Sequence, residues 1–273
     1  LETFVNPLNM TKNYCFTLCY NLPSEVEKAT KLLYDLNDRK DFTHIIVDLG
    51  FPLEFGDQIP DDITLAKRKN SIKLKHLAYE YGSEYMQVPN IGVSQNWSSV
   101  YKALNMDNSD ILAGADPDEH PTHNNWVRAM GNVLRSTDKI ALASLVMDVQ
   151  VKDIQGMTKK HKVINGESTY WILGITNWAL IGLSGEFLNL IGEIPHPEEA
   201  IRYGWIESSL YKLIVLNDYK WVFLPDYQVH HTDFELGDPG TSSLLREWKN
   251  DIIFRIKETG QPDFCDWLRN KKK

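Results

Sequence analysis

Three carboxylates and an imidazole follow directly on an apolar run: Ile111, Leu112, Ala113, Gly114 and Ala115 lead into Asp116-Pro117-Asp118-Glu119-His120. Carboxylates spaced Asp-x-Asp suit a hard divalent cation. Mg2+ and Mn2+ prefer oxygen ligands, and Mg2+ usually takes one or two protein carboxylates plus substrate phosphates and waters. A strand end is rigid on one side and open on the other, so Asp116 and Asp118 are the residues expected to hold a metal–diphosphate complex. Glu119 and His120 are candidates for supporting them. A purely local reading competes: Asp-Pro-Asp-Glu is also a turn and a helix start, with Asp118 near the N-terminus of the segment 121–134.

Positioning such a cluster requires a strand, and the chain supplies an alternation of strands and helices. Residues 13–21 read as a short buried strand rich in aromatic and β-favouring residues. The next segment carries apolar residues at Val26, Ala29, Leu32, Leu33 and Leu36, which is helix spacing, with Ser24 as N-cap and Glu27 as its capping-box partner. Strand 43–51, helix 64–82 closed by Gly82, strand 84–89, helix 94–106 and strand 110–115 follow. This order implies βαβ units and a mainly parallel sheet flanked by helices, an α/β fold. Ligands of such sheets bind beyond the carboxyl ends of the strands. Tyr20, Asn21, Asp48 and the cluster at 116–120 all fall at such ends.

The second half is less regular. Residues 140–151 read as a strand, 152–169 as a loop or hairpin, and 170–184 as an apolar segment entering the sheet. A helix is expected over 197–217 with a bend near Gly204, then a strand over 220–231 ending in His230 and His231. An amphipathic helix over 242–260 closes the chain. No linker separates the halves, so the expectation is one domain over 13–232, divided into a nucleotide-binding half (13–120) and an acceptor half (121–232). Residues 1–12 read as an N-terminal extension, with Met10 a candidate native start and 1–9 an expression remnant. Residues 233–273 read as a C-terminal loop and helix.

Composition narrows the function classes. The chain of 273 residues has a formal net charge of −8, which argues against a general nucleic-acid or anionic-membrane binder. Basic clusters at 66–76, 159–162 and 269–273 read as solvated faces or a tail. Apolar stretches stay near strand length, so no transmembrane segment is expected. Cys15, Cys19 and Cys265 are odd in number and lack metal spacing, which fits reduced thiols and a cytoplasmic setting. No G-x-S-x-G stretch, Walker loop, Gly-rich dinucleotide fingerprint or Cys/His zinc spacing is present.

The segment Asn90-Ile91-Gly92, Asn96, a helix containing Ala103, the apolar strand and Asp116-x-Asp118 resembles the central segment of family-2-type glycosyltransferases of the GT-A fold. Four further pieces match in order: residues 16–21, the strand 44–50 with Asp48, the segment 191–213 with Glu207, and the strand 221–231 with its terminal histidines. The resemblance spans roughly 13–232. It implies a nucleotide-diphosphate sugar as donor, an acceptor glycan or other hydroxyl-bearing molecule, and Mn2+ or Mg2+ as cofactor. Tyr20, Asn21 and Asp48 match the positions that cradle base and ribose, and Asn90, Asn96 and Asp116 join them as donor-binding candidates. Turn and cap geometry is the alternative for the two asparagines. Asp116 and Asp118 match the metal–diphosphate position.

His230 or His231 is implied as a further metal ligand. The two alternate sides of a strand, so at most one faces the ligand; His231, lying further past the strand, is preferred. Glu207 matches the catalytic base of inverting members, and Trp205 beside it is the candidate platform for an acceptor ring. The chain departs from the family's pattern in places. Residues 49–57 follow Asp48 where a second Asp and Gly-Ser are common, Gln95 stands where an Arg often occurs, and Glu207 is one acid where two are usual. Sequence leaves a retaining mechanism open. It also leaves open a catalytically silent nucleotide- or carbohydrate-binding relative, a nucleotidyltransferase, a nucleic-acid acceptor, and the oligomeric state.

Overall fold

The computed structural model describes residues 11–19, 23–52, 61–90, 93–147, 158–172, 180–194 and 206–231. Its first half alternates as the periodicity requires: β1 (Asn13–Cys19), α1 (Pro23–Leu36), β2 (Thr43–Pro52), α2 (Asp61–Tyr81), β3 (Glu84–Asn90), α3 (Val93–Leu104) and β4 (Ile111–Ala115). Then come β5 (Glu119–Pro121), α4 (Trp126–Leu134), β6 (Ile140–Met147), β7 (Thr158–Ile164), β8 (Glu167–Ile172) and β9 (Ile181–Ser184). Helices α5 (Gly185–Ile191) and α6 (Ile206–Leu216) precede the long β10 (Lys220–His231). The extension 1–10, the tail 232–273 and the C-terminal helix expected at 242–260 lie outside the described residues.

The strands form one sheet in the order β3-β2-β1-β4-β9-β6-β10-β8-β7, with β5 pairing on β10. β3, β2, β1 and β4 are mutually parallel, and β10 is parallel to β6. β9 lies antiparallel between β4 and β6, which leaves those two strands pointing the same way. The core of the sheet is therefore mostly parallel, as expected, with an antiparallel hairpin, β7–β8, at one edge.

Both faces are covered, and β1 shows how the sequence achieves it. Successive side chains alternate sides: Tyr14, Phe16 and Leu18 enter one cluster with Trp97 and Val100 of α3, Phe187 of α5 and Leu210 of α6. Cys15 points to the opposite cluster, built with Leu33 of α1 and Trp126, Met130 and Leu134 of α4. Cys19 joins a third, with Val26 of α1 and Leu74 and Ala78 of α2. A strand buried on both faces reads as a continuous apolar run, which is why these segments were legible.

Caps and turns mark the boundaries. Gly82 (φ 65) ends α2 as expected: Ser83 N–H donates to Ala78 O at 2.8 Å and Gly82 N–H to Tyr79 O at 3.2 Å, the paired bonds of a Schellman motif. Helix α1 begins at Pro23, which places Ser24 in its first turn, a position later than the expected cap. Of the segment expected as a loop or hairpin at 152–169, the described part, from Thr158 on, forms the β7–β8 hairpin, closed by Asn165 (φ 49) and Gly166 (φ 92), the positive pair that a two-residue turn requires.

Candidate functional site

The element order locates the site before any side chain is considered. From β1 the chain winds outward through β2 to β3, then returns by α3 to place β4 on the other flank of β1. That reversal is a topological switch point, and the crevice at the carboxyl ends of β1 and β4 is where ligands of such sheets bind. The cluster 116–120 leaves the sheet from that end of β4, whose Ala115 pairs with Thr17 of β1.

Asp116-Pro117-Asp118-Glu119 is a tight turn. Glu119 N–H donates to Asp116 O at 3.0 Å, with Pro at the second position where its fixed φ is favoured. The Glu119 carboxylate holds the turn from inside, accepting from Asp116 N–H and from Leu180 N–H, each at 3.0 Å. Glu119 therefore ties the loop to the start of β9. Burial raises its pKa well above the ordinary carboxylate range; the charge of Asp116 and, to a lesser degree, Asp118 adds to this, while the two N–H donors work against it.

The turn runs into β5. Opposite it on β10, Glu119 pairs with His231, His120 with His230, and Pro121 with Val229. Thr122 N–H extends the pairing to Gln228 O at 2.9 Å. The ladder thus draws the histidines that end β10 to the acidic turn, across more than a hundred residues of sequence. Asp118 is buried and Asp116 exposed. The helix-start alternative for Asp118 is not what forms: α4 begins at Trp126, behind Asn125 in the left-handed region (φ 61), with no side-chain cap bond.

Asp48 lies near the end of the buried run of β2, followed by buried Leu49, paired with Cys19 of β1 and itself wholly buried. One carboxylate oxygen accepts from Lys67 Nζ of α2 and the other from Tyr85 OH of β3 at 2.6 Å. Lys67 is buried with it. Burial pushes the Tyr85 phenol upward, and the hydrogen bond to the Asp48 anion adds to the effect. Lys67 and Tyr85 were not foreseen from sequence. Lys67 carried a usable signal, because it lies seven residues before Leu74 on the buried face of α2, and a lysine there requires a partner.

Asn96 is buried in the first half of α3. Next to it Trp97 stacks edge-on against Phe16, ring centroids 4.4 Å apart, and is core, as is Trp126. For Asn90, Glu207 and His231 the structure gives the backbone position: Asn90 at the end of β3, Glu207 in the first turn of α6, His231 at the end of β10. Tyr20, Asn21 and Trp205 lie outside the described residues.

Among the described residues, no three His, Cys, Asp or Glu side chains converge as a metal site. Asp116 and Asp118 on the turn, with the backbone of His231 opposite the adjoining Glu119, are the residues that could hold a cation whose other ligands come from substrate phosphates and water. No helix among the described residues is long and apolar enough to cross a membrane.

No protein-family model matches the sequence, and no curated protein matches it significantly. Solved structures do. A crystal structure of GalNAc-T7 with UDP, GalNAc and Mn2+ superposes with a TM-score of 0.56 at 13% identity, covering 84% of this chain and 45% of that one. The chain thus spans less than half the length of GalNAc-T7. Glucosyl-3-phosphoglycerate synthase from Mycobacterium tuberculosis, in complex with Mn2+, UDP and glucosyl-3-phosphoglycerate, gives 0.51 at 15% identity over 93% of this chain and 82% of that one. A mycobacterial protein gives 0.50 at 15% identity, covering 83% and 69%. At these identities the likeness establishes the fold alone: the chain has the GT-A fold.

Proposed function

We propose that the chain is a divalent-metal-dependent glycosyltransferase, moving a sugar from a nucleotide-diphosphate donor to an acceptor hydroxyl. The observation that carries this reading is the acidic turn 116–119 at the β1/β4 switch point of a GT-A sheet, with the end of β10 laddered against it. Two solved structures of similar fold hold UDP and Mn2+. Their ligands support the same ligand class here.

Asp116 and Asp118, with His231, would hold Mn2+ or Mg2+, which when bound offsets the negative charge gathering on the departing diphosphate. The chain's own contribution is placement. Glu119 clamps the turn, so Asp116 and Asp118 are presented without loop reorganisation at the moment of reaction. Asn90, at the end of β3, and Asn96, in α3, are assigned to the donor, as are Tyr20 and Asn21, which follow β1 in the sequence. Asp48 joins them, its carboxylate fixed by the bonds it accepts from Lys67 and Tyr85. Glu207, in the first turn of α6, is assigned as the base that removes the acceptor proton during a single inverting displacement, and Trp205, two residues earlier in the sequence, is assigned to the acceptor ring.

Calorimetric titration of nucleoside diphosphates, with and without Mn2+, tests the donor site on wild type and Asp118→Ala. The reading requires metal-dependent binding of one nucleotide that the variant loses. Silence from every nucleotide in the presence of metal would remove it. Glu207→Gln should keep that binding and lose transfer by about a hundredfold or more. Full transfer in Glu207→Gln would strike out the base assignment alone. The anomeric configuration of the product, read by NMR, decides inversion.

A further inference from the structure

Helix α2 carries a surface that the donor site does not use. Its inner face is spent on the core through Leu74, Leu77 and Ala78, and on Asp48 through Lys67. Its outer face exposes three large apolar side chains seven residues apart: Leu65 is 54% exposed, Ile72 56% and Tyr79 89%. Seven residues are nearly two full turns, so the three form one stripe, rising about 10 Å per step. Exposed basic side chains line both sides of it, Arg68 and Lys75 on one flank and Lys69, Lys73 and His76 on the other. From residue 64 to 79 the helix contains no acidic residue, in a chain whose net charge is −8. Among the described residues no element covers this face.

We infer that the outer face of α2 docks the protein on an anionic lipid surface. Three observations choose this occupant. A second copy of the chain would set basic flanks against basic flanks, which is repulsive. A partner helix needs a continuous seam of apolar side chains at alternating three- and four-residue steps, and here the intervening positions are Arg68 and Lys75. A lipid interface needs no seam. Single apolar side chains enter the boundary between headgroups and acyl chains, while lysine and arginine stems lie along it and reach the phosphates. Tyr79, the most exposed of the three, has the apolar body and polar tip that settle at that boundary. The stripe begins beside the donor end of the sheet, since Leu65 is two residues from the lysine that meets Asp48. Docking here holds that end of the sheet close to the lipid surface.

Flotation of the full chain with vesicles tests this, comparing phosphatidylcholine alone with phosphatidylcholine containing phosphatidylglycerol. The wild type should float with the anionic vesicles, stay behind with the neutral ones, and be released by high salt. Leu65→Ser/Ile72→Ser/Tyr79→Ser should abolish flotation. Arg68→Ala/Lys69→Ala should lower partitioning roughly thirtyfold, since each basic residue near an anionic surface adds about fivefold. All five positions are exposed, and an unchanged melting temperature shows each variant folded. The charge variant stands alone should the apolar one unfold. Wild type that ignores anionic vesicles, or variants that float like wild type, overturns the inference. Wild type that ignores vesicles yet binds an acidic helical peptide through these residues overturns it in favour of a protein partner.

Discussion

At the residue scale the most constrained groups are polar ones inside the sheet. Asp48 and Lys67 form a buried ion pair with Tyr85 completing the carboxylate's partners. Removing one member of such a pair strands the other charge, so Lys67→Met should cost about 3–5 kcal/mol in urea unfolding. Asp48→Asn combined with Lys67→Met should recover part of that loss, and strictly additive costs would contradict the pairing. His44 is a second case. Its ring bonds Ser83 Oγ at 2.9 Å and Thr17 Oγ1 at 3.2 Å, and burial lowers its pKa from 6.5 to about 3. The folded state therefore refuses a proton that the unfolded chain accepts. The stability contribution of His44 is full above 6.5 and drains as pH falls toward 3. Between pH 7.5 and pH 5 the loss should be about 2 kcal/mol, and His44→Gln should flatten that part of the pH–stability curve. An unaltered curve in the variant would mean that other groups set the slope. For Lys67 the sequence offered a buried-face lysine in need of a partner; for His44 it shows a histidine in a strand but not that Thr17 and Ser83 lie against its ring.

Elements were more legible, and the reason is periodicity. β1, β2 and β4 announced themselves as apolar runs because both their faces are buried, and α3 as a helix because its apolar residues recur at helical spacing. What escaped was short or long-range. β5 has three residues and exists only because β10 lies alongside, so no local pattern could reveal it. The insertion of β9 between β4 and β6 is likewise a pairing decision with no local trace. Gly114 shows how tightly β4 is fitted to its neighbours. A Cβ there would run into the Trp97 ring and come within 2.6 Å of Phe16, the edge-on pair that covers this part of the strand. Gly114→Ala should destabilise by about 1–3 kcal/mol through overpacking. Gly114 lies two residues before Asp116, so the same substitution should also weaken metal-dependent nucleotide binding. A variant with wild-type stability and affinity would show that the aromatic pair yields freely.

For the whole molecule the telling feature is that the sheet collects its acidic turn, its terminal histidines and the buried Asp48 at one end, although they are spread from residue 48 to 231. Sequence gave the order of these groups along the chain; only the switch point and the β5–β10 ladder give them a common place. For the proposed site that arrangement ties ligand binding to global stability, because a site assembled from β2, β4 and β10 would not exist in the unfolded chain. Whatever binds it must raise the unfolding free energy by mass action, by about 2.7 kcal/mol when the ligand is at a hundred times its dissociation constant. Mn2+ together with the cognate nucleoside diphosphate should then raise the melting temperature by several degrees. Either alone should do less, because in the proposed site metal and diphosphate would share ligands at the acidic turn. Asp116→Asn/Asp118→Asn should lose the joint increment, whatever its own melting temperature without ligand, since the comparison is of increments and not of absolute stability. A joint increment no larger than the two separate ones, or one that survives in the double variant, would place the ligand elsewhere than the β1/β4 crevice.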